Sequence, residues 1–346
     1  MRSISEASIS KIEAFANSFL SVTVRSIHPL PASGNNRAYK ISTNKGFILL
    51  KEYFTHPFDI RDRSKNEFAF LTYASKVAPQ FVPNPIAIDS EQKIAAYEFI
   101  RSTAISSNNF FASDIEAAAE FFCLLNQDKF KDAAIDLPQA SEAQYSISGH
   151  LNSVEGRIKH LQSVGDMNIR FIKRFLYDLS EAWLELERNA LIWSKRHFIS
   201  LDLNLDPENR CISPSDFGFH NALRRENGSI VFIDFEYAGW DDPARMCADF
   251  FSQPKVPIPD KYHGLFKSRC LSIFPGTELL HKNIRLMLPI FQAKWCCIIA
   301  GVIDPVVLER RLFAHPGLDK EEIIVRQIAL ADVYLNKLRE LINGLY

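Results

Sequence analysis

Asp216, Asn221 and Asp234 constrain this chain more than any other feature, because of where they fall. The stretch Ser213-Pro214-Ser215-Asp216-Phe217-Gly218-Phe219-His220-Asn221 sets an acid and an amide five residues apart. Thirteen residues after the amide, an apolar run, Val231-Phe232-Ile233, ends on a second acid, Asp234. An acid that accepts or orients the proton of an attacking hydroxyl, an amide oxygen and a strand-end carboxylate form the working set of a phosphoryl-transfer site. In that reading Asp216 is the catalytic acid, and Asn221 and Asp234 hold Mg²⁺.

The tripeptide Asp216-Phe217-Gly218 invites a different assignment, with Asp216 as the metal ligand. A metal Asp needs a catalytic Asp and its Asn earlier in the chain. Five residues after Asp202 stands Pro207, and five after Asp206 stands Cys211, so neither qualifies. Downstream of Asp216 the pattern is complete, which makes the tripeptide coincidental.

Length and composition narrow the setting. The 346 residues are long for one core and comfortable for two, and an apolar share of 47% is ordinary for a globular protein. Forty basic against 41 acidic side chains, with no basic block, argue against a nucleic-acid partner. The six cysteines form no C-x-x-C pair, so zinc and disulfide readings are poor and a reducing, cytoplasmic compartment is expected. The start does not read as a signal peptide: Ser3-Ile4-Ser5-Glu6 looks like a helix start, with Ile12, Phe15, Ala16 and Phe19 at helical spacing. The apolar run Trp295–Ile303 is shorter than the roughly 20 residues a bilayer needs, so no membrane partner is expected.

Along the chain, residues 1–100 read as an α+β unit. Strands are predicted near Ser21–Ile27, Arg37–Ser42 and Gly46–Tyr53, then a helix near Asp62–Lys76, then strands near Ile86–Ile88 and Ile94–Phe99. Residues 101–346 read as mainly helical. A capping box at Ser113-Asp114-Ile115-Glu116 opens a helix to about Asp128, a looser Ser- and Ala-rich segment follows, and a long helix spans Asn168–His197. After the motif, helices are expected near Tyr262–Ser272, His281–Ile303 and Lys320–Asn343.

A phosphoryl-transfer site also needs a positioned cation on the nucleotide phosphates. Lys51 ends the apolar strand Phe47-Ile48-Leu49-Leu50, and Glu67 lies sixteen residues on, in the following helix. Read alone, they are a solvated strand end and a surface acid; beside the acid/Asn/acid set, they are a lysine and the carboxylate that fixes it. The segment Ala32–Arg37, with Gly34 and Asn36, could cover a nucleotide through backbone N–H groups or be a plain hairpin turn. Glu98 and Ile100 lie in the connection that ends the first unit, where a base would find backbone hydrogen-bonding groups. Glu236, Tyr237, Trp240 and Asp241 are candidates for facing a substrate, since an acidic, aromatic pocket suits a cationic amine. Asp242 reads as a buried anchor.

With these residues in hand, the chain resembles the aminoglycoside phosphotransferase/choline kinase family. Asp216 and Asn221 match its H-x-D-x-x-x-x-N loop, Asp234 its metal Asp, Asp242-Pro243 its downstream pair, and Lys51 and Glu67 its lysine and helical partner. Ile233–Tyr237 is similar to the choline/ethanolamine kinase version. Pro214 stands where the family has His, and Met246 where it often has a further Asp, with Asp249 nearby. The resemblance implies a two-lobed protein-kinase-like fold, with a small β-rich N-terminal lobe and a larger, mainly helical C-terminal lobe. It implies an ATP- and Mg²⁺-dependent kinase whose partner is a small-molecule hydroxyl acceptor, such as an amino-alcohol, a sugar or an aminoglycoside-like compound. Pro214 and the single glycine of the phosphate loop leave a second reading, a nucleotide-binding pseudokinase serving as an interaction module. A protein acceptor fits less well, because no long activation segment with A-P-E follows Asp234. The oligomeric state is not legible.

Overall fold

The computed structural model describes residues 6–31, 36–55, 62–107, 110–275, 277–314 and 319–345. Gly34 and its neighbours Ala32, Ser33 and Asn35 lie outside the described residues, as do Ser3, Ile4 and Ser5 of the expected helix start. The chain divides into two compact units, Met1–Ser141 with Ile212–Trp240, and Glu142–Cys211 with Asp241–Tyr346.

The first unit is built on a five-stranded antiparallel sheet in the order β1-β2-β3-β5-β4, from β1 (Val24–Pro29), β2 (Asn36–Thr43), β3 (Gly46–Tyr53), β4 (Pro85–Asp89) and β5 (Ile94–Glu98). Strand alternation gives the sheet two different faces. Tyr39, Ile41, Leu50, Ile94 and Ala96 fill one face and pack against Ile12 and Phe15 of helix α1 (Glu6–Phe15). The opposite face carries Lys51 and Tyr53. Register sets Lys51 opposite Ala38 on β2 and Ala95 on β5, so two small neighbours leave room for its stem.

Helix α2 (Arg63–Val77) follows, with Asp62 at its N-cap accepting a hydrogen bond from the Lys65 amide at 3.2 Å. A short strand, β6 (Ser102–Ala104), not expected from the sequence, stands at the start of the region read as mainly helical, and it pairs with the hairpin β8 (Ala222–Arg225) and β9 (Ile230–Phe232) in a three-stranded antiparallel sheet. Helix α3 (Ala112–Leu125) starts one residue before the expected capping box. Asp114 is its third residue and reaches back to the Phe111 amide at 2.8 Å, while Arg224 bonds both oxygens of its carboxylate. Strands β7 (Cys211–Ser213) and β10 (Gly239–Asp241) lie where the chain passes between units.

The second unit is helical: α4 (Ile147–Val164), α5 (Arg170–His197), α6 (Pro243–Ser252), α7 (His263–Leu271), α8 (Thr277–Ala300), α9 (Pro305–Ala314) and α10 (Lys320–Asn343). Helix α4 corrects the expectation of a loose segment. Gly149, Gly156 and several serines dilute its composition, yet Ile147, Leu151, Val154, Ile158 and Leu161 recur at helical spacing and are buried, and Ser146 caps the Gly149 amide at 3.1 Å. A second correction concerns α8. The run Trp295–Ile303 belongs to a 27-residue stretch from Thr277 that is long and apolar enough to cross a membrane, but 72% of its most apolar window is buried inside the protein. A helix apolar all round suits a core position as well as a bilayer, and α8 is the core helix against which α4, α6 and α10 pack.

Helix α6 opens on the Asp-Pro pair. The Asp242 carboxylate accepts the Ala244 amide at 2.7 Å, Pro243 fills the first turn, and Asp241 pairs with Arg245 one turn on. Burial pushes the Asp242 carboxyl up to about 7; the Ala244 hydrogen bond opposes that shift and the Asp241 charge adds to it. Between its ordinary value of 3.8 and 7 the folded protein therefore keeps a proton that the unfolded chain has released. The stability this contributes is complete below the lower value and is lost as pH rises through the higher one. Asp242→Asn, which keeps the capping oxygen, is expected to flatten the fall in unfolding free energy between pH 4 and 7 by up to about 4 kcal/mol. Urea unfolding of both proteins across that range measures the difference, and parallel curves would refute it.

Candidate active site

Glu67 organises one half of the site. It projects from α2 to the polar face of the sheet, is 2% exposed, and collects donors from three directions. Lys51 Nζ lies 2.7 Å and 3.0 Å from its two oxygens, the Tyr53 hydroxyl donates at 2.5 Å, and the Phe235 amide donates at 3.3 Å. The Tyr97 hydroxyl extends the chain, 2.7 Å from that of Tyr53. Lys51 is 7% exposed and also bonds Asp234 Oδ1 at 2.9 Å. Burial alone would depress its ammonium, but Asp234 and then Glu67 outweigh burial and hold it above the ordinary lysine range. Burial pushes the Glu67 carboxyl up against the pull of Lys51, and the Asp234 charge adds to the rise.

The second half is the turn after β7. Asn126 clamps the strand before it, donating to the Ile212 carbonyl at 2.9 Å and accepting its amide at 2.7 Å. Ser215 and Asp216 then take consecutive left-handed conformations, φ +45° and +41°. Such residues each carry a strain of order 1 kcal/mol and persist only where their surroundings hold them. Phe217 and Phe219 supply that hold. They alternate into an aromatic cluster with Phe121 and Phe232; the latter two rings stack at 5.1 Å, and Phe235 joins them against Phe70. His220 Nε2 sits 3.2 Å from Asp216 Oδ1, and Asn221 Nδ2 donates to the Asp216 carbonyl at 3.1 Å and to Oδ2 at 3.2 Å. Asp234, two residues beyond β9, is also left-handed, at φ +70°. The Asn221 carbonyl accepts the Ile233 amide at 2.9 Å, which ties the two acid-bearing segments together.

These residues fit a divalent cation in a limited sense. Asn221 spends its Nδ2 on two oxygens of Asp216, which assigns the amide orientation and leaves Oδ1 with no hydrogen-bond donor among the described residues. An amide oxygen and the Asp234 carboxylate are hard donors. Among the described residues no group of three or more His, Cys, Asp or Glu is arranged to hold a metal ion. That donor set suits Mg²⁺, which keeps waters and takes substrate phosphates, and would not form a closed protein cage.

The other candidates separate. The side chain of Asn36, on β2, donates to Glu236 Oε2 at 2.9 Å and accepts the Phe54 amide at 3.4 Å, so the side chain of this residue is committed within the protein. Glu98 accepts from the Asn84 amide and side chain, and its own amide donates to the Asn84 carbonyl. The Ile100 carbonyl accepts the Ser102 hydroxyl at 3.3 Å. Glu236 is 3% exposed, whereas Tyr237 and Trp240 are half-buried, Trp240 donating to the Ala134 carbonyl at 3.1 Å. Asp241 is a correction: at 1% exposure and paired with Arg245 it is an internal ion pair and does not face a ligand. Sequence reasoning missed His220, the Tyr53–Tyr97 pair and Asn126. Only His220 had a signal, its place inside the motif.

No family model matches the sequence, and no curated protein matches it. Solved structures do share its fold. The choline kinase from Cryptosporidium parvum Iowa II superposes with a TM-score of 0.61 at 16% identity, over 97% of each chain. ADP-bound aminoglycoside phosphotransferase APH(2'')-Ib gives 0.57 at 13% identity, over 97% of this chain and 99% of that one. The ternary complex of APH(2'')-IIa with streptomycin and ATP gives 0.58 at 12% identity, over 98% and 99%. The α+β fold of this chain is thus one it shares with these solved structures.

Glu67→Gln removes the charge opposite Lys51 while keeping the side-chain shape. It is expected to lower the unfolding free energy by about 3 kcal/mol, because a buried ammonium loses its nearer partner. Urea denaturation at pH 7.5 measures this, and an unchanged midpoint would mean that the pair contributes nothing.

Proposed function

We propose, from the fold shared with choline kinases and aminoglycoside phosphotransferases, that this chain is an ATP- and Mg²⁺-dependent kinase of a small-molecule hydroxyl. The observation that carries the reading is the Asp216 carboxylate. Both of its oxygens are engaged from within the turn, yet its side chain remains 35% exposed. A carboxylate held in this way can accept a hydrogen bond from an incoming hydroxyl and orient it for in-line attack on the γ-phosphate.

Lys51, kept cationic by Asp234 and Glu67, would neutralise charge on the α- and β-phosphates. Asn221 Oδ1 and Asp234 would hold Mg²⁺, and the bound ion would screen the phosphate charge that develops during transfer. Backbone groups near Gly34 and Asn36, and between Glu98 and Ile100, are assigned to the nucleotide. The acceptor is placed among amino-alcohols, sugars and aminoglycoside-like compounds. Tyr237 and Trp240, half-buried, are the better placed of the aromatic and acidic candidates to meet it, since Glu236 is engaged by Asn36. All six cysteines are free thiols, which supports a cytoplasmic setting.

The test is Mg²⁺-dependent ADP release from ATP over a panel of those acceptors and nucleosides. Release should be stimulated by one chemical class. Asp216→Asn should reduce kcat by roughly 10²- to 10⁴-fold with ATP affinity nearly unchanged. Full turnover in that variant would refute the assignment, and ATP binding with no turnover on any acceptor would favour an interaction module.

A further inference from the structure

The segment bearing Asp216 does not hold its carboxylate by backbone alone. Two consecutive left-handed residues precede Phe217, and the terminal torsion of an Asp side chain is soft. Its plane is defined only if both oxygens find donors, and both do. Asn221 takes Oδ2, and His220 takes Oδ1. The His220 side chain is only 4% exposed against 35% for Asp216, so the ring meets the carboxylate from the protein side and leaves its solvent side open.

The ring also has a defined proton position when neutral. Its other nitrogen, Nδ1, is buried with no hydrogen-bond partner among the described residues. A proton on Nδ1 would leave a buried N–H unpaired and turn a bare lone pair toward a carboxylate. A proton on Nε2 satisfies the 3.2 Å contact and leaves only a lone pair without a partner, which is the less costly arrangement.

We propose that His220 is a positioning residue for Asp216: its Nε2–H, donated to Oδ1, sets the carboxylate plane so that the open side meets the acceptor hydroxyl. This rests on the reading of Asp216 as the group that receives that hydroxyl. The ring itself touches neither acceptor nor nucleotide in this role. It follows that the ring can be replaced by any side chain that puts an N–H in the same place, and by no apolar one.

The experiment compares His220→Leu, which fills the volume without a donor, with His220→Gln, which returns an amide N–H near the Nε2 position. Turnover is measured with the acceptor that stimulates ADP release, and thermal unfolding with each protein. His220→Leu should lose about 10- to 100-fold in kcat with KM for ATP changed less than about twofold, and His220→Gln should recover most of that loss. Wild-type kcat in His220→Leu would overturn the proposal. So would a folded His220→Gln as slow as the Leu variant. Asp216→Asn is assayed alongside, because full turnover there defeats the reading of the site and not the His220 contact. The contact has its own readout in ¹⁵N-histidine NMR at pH 8. A ring protonated on Nε2, with resonances that move in Asp216→Asn, is expected whatever the turnover. A ring protonated on Nδ1 would overturn the proposal.

Discussion

A carboxylate taken out of water must be met by donors, and Glu67 is where the first unit satisfies that requirement. An ionised carboxyl at 2% exposure is costly unless both oxygens are paired. Lys51 comes from β3, Tyr53 from two residues further along the same face, and the Phe235 amide from the segment after Asp234. One side chain thereby ties α2 to the sheet and to the segment that follows the second acid. Because Lys51 also bonds Asp234, the cation is shared by two carboxylates and cannot leave one without weakening the other.

The motif turn solves a different problem with apolar groups. Three left-handed residues, Ser215, Asp216 and Asp234, oppose the ordinary preference of L-residues, and no glycine stands at any of them. Phe217 and Phe219 point away from the acids into rings supplied by α3 and β9, and this packing holds the strained backbone. The same alternation that sends the phenylalanines inward returns Asp216 and His220 to one side of the turn. Polar geometry at the surface of the turn is set by aromatic packing beneath it.

Much of this was legible beforehand, and the misses have physical causes. Strand β3 and helix α10 lie where period-two and period-3.6 patterns place them, and Lys51 meets Glu67 across the expected sixteen residues. Helix α4 was lost because glycine and serine mask a buried stripe, and β6 because three residues carry no periodicity. Asp241 read as a substrate-facing acid, since burial is not written beside an acid in sequence. Arg245 stands only four residues on, but the fold is what buries the two side chains together as a pair.

By itself the sequence determined which polar groups are present and how far apart along the chain they stand. Spacing and periodicity are local quantities, and they are enough to set a lysine on a strand, a glutamate on a helix and an acid at a strand end. The tertiary structure decided which of those groups touch. The donors on Glu67 lie up to 168 residues from it, and those on Asp216 depend on φ values that composition does not encode. Hydrogen bonds form over about 3 Å and within narrow angles, so those between residues distant in the chain rest on packing that no local pattern can specify.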